Sequence, residues 1–509
     1  MAKCIMVQGT MSGAGKSLIV TALCRIFKQD GYRVAPFKSQ NMALNSFVTK
    51  DGFEMGRAQA VQAYAAGLEP DVRMNPILLK PSSETGSQVI LNGRIYAQLG
   101  AVDYYNRKKQ LLPEVVKAYE SLAKENEIIV IEGAGSPAEI NLRKDDIVNM
   151  GLAEVLDAKV LLVGDIDPGG VFAQLYGTVM LLSEKERERI AGLIINKFRG
   201  DPKLLKPGLK QLTELTGLPV FGVIPFTSVK IEEEDSLSDE LKITTHDKPI
   251  DIAIIRLPFI SNYTDFTVIE QSKLMGIRYV TESLSLGRPD LIILPGSKST
   301  INDLNWLRET GLEQAILALY QNGSELLGIC GGYQMLGNRL LDPETCEEAE
   351  GLGLLPVDTE FLSKKTTRQV IGEIAQGSFA GAKIKGYEIH TGRTTFAGER
   401  FFSRLRIESA GKGSESEIED GCIGENVYGT YVHGLFDSGE LIERMTEHFM
   451  RKRGLPFVAA KAASTDNETE RGEKSRDFRA FQEEQYDILA DAVRNNIDLK
   501  RIYRELHIN

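Results

Sequence analysis

The stretch GTMSGAGKS, Gly9–Ser17, constrains this chain more than any other. Its glycines lie between an apolar run, CIMVQ, and a helical one, SLIVTALCRIF, so the chain must turn tightly from strand into helix. A loop of this kind aims successive backbone N–H groups at one point beside a helix N-terminus, which suits a phosphate. The usual spacing is G-x-x-x-x-G-K-[ST], with the lysine on the terminal phosphates and the hydroxyl on Mg²⁺. Here Thr10 stands where the first glycine belongs and Gly9 precedes it, while Gly13, Gly15, Lys16 and Ser17 keep the remaining parts. The loop reads as a nucleotide site with Mg²⁺.

Short β-branched runs recur between longer helical stretches: KCIMVQG, YRVAPFK, EIIVIEG, AKVLLVGD, IAGLIINKF and LPVFGVIPF. That rhythm predicts an α/β fold with a mostly parallel sheet covered by helices. A polar, acidic stretch at 229–249 reads as a linker, after which IDIAIIRLPF, IRYVTE, PDLIILPGS, ELLGICGG and NVYGTYVHG begin a second series. The expected domains are 1–245, a P-loop domain, 250–445, a second α/β domain, and 446–509, a helical extension. Phe478, Phe481, Ile488, Leu489, Ala492 and Val493 recur at helical spacing and predict a terminal amphipathic helix packed onto a domain. The polar 410–421 segment reads as a solvated loop.

A net charge of −11 argues against a nucleic-acid or anionic-membrane partner. No apolar run approaches the ~20 residues that span a bilayer. The five cysteines are odd in number and scattered without a CxxC pair, which argues against a disulfide framework or zinc site. The opening residues lack the apolar core of a signal peptide. A cytoplasmic enzyme is expected.

In the first half, IIVIEGAGS sets Glu132 at a strand end, where a carboxylate can share Mg²⁺ with Ser17. FKSQNMALNS places Lys38, Gln40, Asn41 and Asn45 after the second strand, and LVGDIDPGGVFA places Asp165 and Asp167 at another. These are candidate substrate residues; loop packing and helix capping are the alternative. In the second half, GICGG sets Cys330 between glycines at the point where a strand turns into an expected helix, YQMLGNRLL, a cysteine form of the nucleophile elbow. Of five histidines, His433 in YVHGLFD follows a strand and is the favoured base; His390 in YEIHTG competes, while His246, His448 and His507 lie in linker or helical contexts. The turn ILPGSKS offers a backbone N–H at Gly296 that pairs with that of Gly331 as an oxyanion hole.

The displaced glycine of GTMSGAGKS resembles the dethiobiotin synthetase group of P-loop enzymes, which activate carboxyl groups with ATP. That likeness implies contacts from Asn196 and Lys197, in LIINKF, to the nucleotide base. Met11 stands where switch-type ATPases of the wider class carry a second lysine. The order and 103-residue separation of Cys330 and His433 resemble class I glutamine amidotransferases. Those enzymes complete the triad with a glutamate two residues after the histidine, but this chain has Leu435 there, leaving Asp437, Glu388 or no acid at all to orient His433.

FKSQNMALNS, NPILLKPSSETGSQVI, EGAGSPAEINL, GDIDPGGVFA, INKFRGD, PGSKST, GICGGYQMLG, GYEIHTG and YVHGLFD together resemble the cobyric acid synthases of adenosylcobalamin biosynthesis over nearly the full length. The resemblance implies glutamine and a corrinoid polycarboxylate as substrates, with four carboxylates amidated at the expense of ATP. Two rivals remain at this point. One is the sister cobyrinic acid a,c-diamide synthase; the other is a non-catalytic nucleotide-dependent binding protein, which intact Gly328, Cys330, Gly332 and His433 oppose.

Overall fold

In the computed structural model, which describes residues 2–81, 86–231, 248–396, 400–408, 417–456 and 478–508, the six apolar runs of the first half pair as one parallel sheet. Its order is Val220–Pro225, Ile190–Phe198, Lys159–Asp165, Lys3–Gly9, Ile128–Glu132, Val34–Phe37. Strands covered by helices on both faces need apolar side chains on both, which is why each reads as an unbroken apolar run. A second, four-stranded sheet combines Gln40–Met42 with Ile77–Pro81, Gly86–Leu91 and Arg94–Gly100. The hydrophobic pattern did not reveal this sheet.

The chain divides into two units, 1–43 with 54–234 and 482–509, and 44–53 with 235–481. Residues Leu44–Phe53 therefore belong with the second half although they lie inside the first in sequence. Most of the acidic 229–249 stretch, His246 and the 409–416 part of the polar loop fall outside the described residues.

The second unit has its own sheet, ordered Met275–Val280, Ile250–Ile255, Leu291–Leu294, Glu325–Ile329, Val427–Thr430, Cys422–Ile423, with only the last strand antiparallel. A further seven-stranded sheet is built around the long hairpin Val357–Ile374 and Lys383–Phe396, and it ends on Val432–His433. YQMLGNRLL, expected as a helix, is a helix only from Gly331 to Met335; Arg339–Asp342 is a strand paired with Val357–Ile374. Among the described residues no helix is long and apolar enough to cross a membrane.

The terminal helix Phe478–Arg494 packs its Tyr486, Leu489, Ala490 and Val493 into the core of the first unit beside Ile5, Leu23 and Phe27. Arg25 anchors it through Glu483 (2.6 Å) and Asp487 (2.7 Å). Ile488, expected on the buried stripe, points outward instead. Leu489→Ala should cost about 2–5 kcal/mol, read as a lower urea midpoint for the loss of helical circular dichroism. An unchanged midpoint would mean that the helix adds no stability there.

Candidate functional site

In the first unit, the central strand runs beside Ile128–Glu132 and Lys159–Asp165 with Val7 opposite Glu132 and Gly9 opposite Val163, so three strand ends meet behind the glycine loop. Gly13 and Gly15 take φ of 73° and 90°, and a Cβ on Gly15 would fall 2.1 Å from Asn196 Nδ2. Thr10, the residue out of step, is anchored to the neighbouring strand: its N–H donates to the Val163 carbonyl (2.9 Å) and its hydroxyl to Gln174 Oε1 (3.2 Å). Lys16 Nζ donates to the carbonyls of Met11 (3.0 Å) and Gly135 (3.1 Å), which phosphate oxygens can replace.

Glu132 is buried and receives three donors: Ser17 Oγ (2.8 Å), Lys38 Nζ (2.9 Å) and Gln62 Nε2 (2.5 Å). Burial would raise its pKa, but the Lys38 charge and the hydrogen bonds outweigh burial and hold it below the ordinary value. Ser17 and Glu132 thus present adjacent hard oxygens, of the kind that could hold Mg²⁺ together with waters and phosphates. Among the described residues no cluster of three or more His, Cys, Asp or Glu forms a protein-only metal cage.

Asn196 Nδ2 donates to the Ala14 carbonyl (3.0 Å), and Lys197 donates to that of Gly13 (2.8 Å) while pairing with Asp165 (2.9 Å). Both therefore sit on the glycine loop. Asp167 pairs with Arg199 (3.1 Å). Gln40 accepts from the Tyr104 hydroxyl (2.5 Å) and Asn41 donates to Gln59 (2.9 Å). Asn45 alone among these candidates lies in the second unit.

There, Cys330 occupies φ 51°, ψ −106° at the junction of the strand Glu325–Ile329 and the helix Gly331–Met335. A conformation of this kind costs about 1–3 kcal/mol and sets the side chain at the bend, where the Cys330 thiol is buried. The flanking glycines are sterically required, since a Cβ on Gly328 would lie 2.6 Å from the Tyr333 nitrogen and one on Gly332 1.9 Å from the Leu294 carbonyl oxygen. The amides of Cys330 and Gly332 donate to the carbonyls of Thr430 (2.8 Å) and Pro295 (3.0 Å). That of Gly331 opens the helix, where no preceding turn supplies an acceptor. A Cβ on Gly331 would meet the Ser297 nitrogen at 2.8 Å and one on Gly296 would meet His433 Cε1 at 3.0 Å, so the turn packs against both the cysteine elbow and the imidazole. Ser297 is tied to buried Asp303 (2.5 Å), whose carboxyl burial pushes up to about 7.

His433 Nδ1 donates to Asp265 Oδ2 (2.7 Å), and Asp265 Oδ1 accepts the Gly434 N–H (2.9 Å). This bond fixes the tautomer and leaves Nε2 as the nitrogen that takes the Cys330 proton. Burial would lower the imidazole pKa, but the Asp265 charge and hydrogen bond, helped by Cys330, push it up to about 10. His390 behaves oppositely. It stacks on Tyr431 with ring centroids 3.7 Å apart, its Nδ1 lies 2.7 Å from the Gly392 carbonyl, and burial brings its pKa down to about 4, so it is neutral at pH 7. The acid behind His433 is thus neither Asp437 nor Glu388, which pairs with Arg368. Asp265 lies 168 residues upstream in SNYTDF, a string with no motif to mark it; the missing glutamate at Leu435 was the sole cue.

Comparison with known proteins finds a match for each half of the chain. Residues 5–237 match the CobQ/CobB/MinD/ParA nucleotide binding domain, and 251–441 match the CobB/CobQ-like glutamine amidotransferase domain. A cobyric acid synthase of Lachnoclostridium phytofermentans is 51% identical over 99% of this chain and 99% of its own. The chain belongs to the cobyric acid synthase family. Relatives bearing that name in Alkaliphilus metalliredigens (51% identical, 98% of this chain and 99% of the relative) and Streptococcus sanguinis (48%, 99% of each) span the same length. Like the family, this chain is an ATP-dependent amidotransferase, with an α/β nucleotide-binding half and a glutamine amidotransferase half.

Asp265→Asn removes the charge that raises His433, so burial should dominate and the imidazole pKa should fall. At pH 7 the ring then loses the proton it holds against the thiol. Glutamate release should drop about 10²- to 10⁴-fold, and alkylation of Cys330 by iodoacetamide should slow with it. Wild-type rates in both assays would remove Asp265 from the triad.

Proposed function

We propose that this enzyme converts adenosylcobyrinic acid a,c-diamide to adenosylcobyric acid, amidating the b, d, e and g carboxylates with one glutamine and one ATP per amide. The observation that carries this reading is the coexistence of the Ser17–Glu132 loop centre and the Cys330–His433–Asp265 line in one chain, half of whose residues match a cobyric acid synthase end to end. Amide formation needs both parts, because a carboxylate resists attack by ammonia until its oxygen is made a leaving group.

In the first unit the carboxylate takes the γ-phosphoryl group of ATP, giving an acyl phosphate and ADP, while Lys16 balances the charge on the transferring group. Mg²⁺ bound at Ser17 and Glu132 would supply further neutralisation of the phosphates. Asn196 and Lys197 are assigned to the nucleotide, and Lys38, Gln40, Asn41, Asp165 and Asp167 to the corrinoid side. In the second unit Cys330 Sγ, its proton already held on His433 Nε2, attacks the glutamine carboxamide, and the amides of Gly296 and Gly331 receive the oxyanion. His433 returns the proton to departing ammonia, and water then cleaves the thioester to glutamate. Ammonia displaces phosphate from the acyl phosphate to complete the amide. Five free cysteines suit a reducing cytoplasm as the setting.

Cys330→Ala should abolish glutamine-dependent amidation yet retain amidation from ammonium salts at mildly alkaline pH, because ammonia needs no thiolate. Lys16→Ala should lose amide formation from either nitrogen source while still hydrolysing some glutamine. Product mass after incubation with cobyrinic acid or its a,c-diamide identifies the substrate: a gain of four amides on the diamide supports the proposal, and a gain of two confined to cobyrinic acid points to the sister reaction. Wild-type glutamine use by Cys330→Ala would overturn the nucleophile assignment.

A further inference from the structure

We propose that Leu44–Phe53 is a positioning segment for glutamine hydrolysis, and that Asn45 is a positioning residue of the His433–Asp265 pair rather than a corrinoid ligand. The inference rests on reading Cys330, His433 and Asp265 as a glutaminase, but not on the identity of the corrinoid.

The chain leaves the first unit after Ala43, runs through the second, and re-enters the first at Glu54. Leu44 through Thr49 are all buried. Asn45 Oδ1 accepts the Tyr263 N–H (3.1 Å), and the Ser46 N–H donates to Asn262 Oδ1 (3.0 Å), so the two asparagines grip each other's backbone. Tyr263 is the first residue of the short helical turn Tyr263–Phe266, which carries Asp265. Its own capping residue, Asn262, sits at φ 53° and contributes no side-chain cap. Asn45 supplies that cap from 218 residues away.

The same segment also supports the other member of the pair. The Ser46 carbonyl accepts the Tyr387 hydroxyl (3.0 Å), and Phe47 packs on the Tyr387 ring at 5.5 Å. Tyr387 in turn stacks on His433, with ring centroids 5.5 Å apart, and lies opposite it in the strand pairing. Farther along, the Val48 and Gly52 carbonyls accept hydrogen bonds from Gln369 and Thr367. Asp265 is thus held through Asn45, and His433 through Ser46, Phe47 and Tyr387.

Asn45 uses only its carbonyl oxygen, since Nδ2 has no partner among the described residues. Aspartate keeps that acceptor and alanine removes it, which gives a sharp test in the full-length enzyme. For Asn45→Ala, kcat for glutamate release should fall about 10- to 100-fold with the KM for glutamine little changed, as expected for a misplaced catalytic group. Alkylation of Cys330, located by mass spectrometry, should slow in parallel, and amidation driven by ammonium should persist. Asn45→Asp should recover most of the loss. Unchanged glutamate release in Asn45→Ala, an equal fall of glutamine- and ammonium-driven amidation, or an aspartate variant no better than alanine would each overturn the proposal. Glutamate release needs no corrinoid, so failure to amidate any corrinoid would sink the substrate assignment and leave this inference standing. Glutamate release by Cys330→Ala at the wild-type rate would instead remove its premise.

Discussion

Gly15 and Gly332 have no room for a β-carbon: Asn196 Nδ2 stands 2.1 Å from where one would sit on the first, and the Leu294 carbonyl oxygen 1.9 Å from where one would sit on the second. Gly15 ends the loop that carries a strand into a helix and Gly332 lets another strand turn into one directly, and each turn brings a reactive group to the helix N-terminus. In one unit that group is a phosphate cradle with Lys16; in the other it is the Cys330 thiol. Both chemistries therefore depend on the same backbone constraint, and the residues that tune them arrive from neighbouring strand ends.

Buried charge is handled differently at the two centres. Glu132 stays ionised because Lys38, Gln62 and Ser17 all donate to it, so its anion is ready for a cation. His433 is drawn toward its charged form by Asp265, so it can hold a proton taken from the thiol. In both cases burial alone would favour the neutral group, and an opposite charge together with hydrogen bonds reverses the outcome. Removing one partner of such a pair leaves the other uncompensated, a loss of about 3–5 kcal/mol in comparable buried pairs. Substitution at Lys38 or Asp265 thus affects folding as well as chemistry.

What the sequence made legible was local. The central strands announce themselves because strands buried on two faces are apolar throughout. Both glycine turns do so because closely spaced glycines between a strand and a helix mark a bend too tight for side chains. Glu132, Cys330 and His433 follow from those strand ends. Asp265 was hidden because its partner lies 168 residues away and its turn has no distinctive composition. The place of Leu44–Phe53 in the second unit was hidden for the same reason: KSQNMALNS reads as one loop, although the fold divides it at Ala43. Arg339–Asp342 looked helical because its pairing with Val357–Ile374 is non-local, and Ile488 looked buried because periodicity gives a stripe without its centre.

The central claim is that the two centres act on one product, with phosphate leaving the carboxylate as glutamine-derived nitrogen arrives. Incubating the enzyme with MgATP, glutamine labelled with ¹⁵N in its amide and a corrinoid acid labelled with ¹⁸O in its free carboxylates tests this in a single sample. The account predicts ¹⁵N in every new amide and one ¹⁸O in the inorganic phosphate released with each. New amides accompanied by unlabelled phosphate, or labelled phosphate with the ¹⁵N confined to free ammonium, would contradict it.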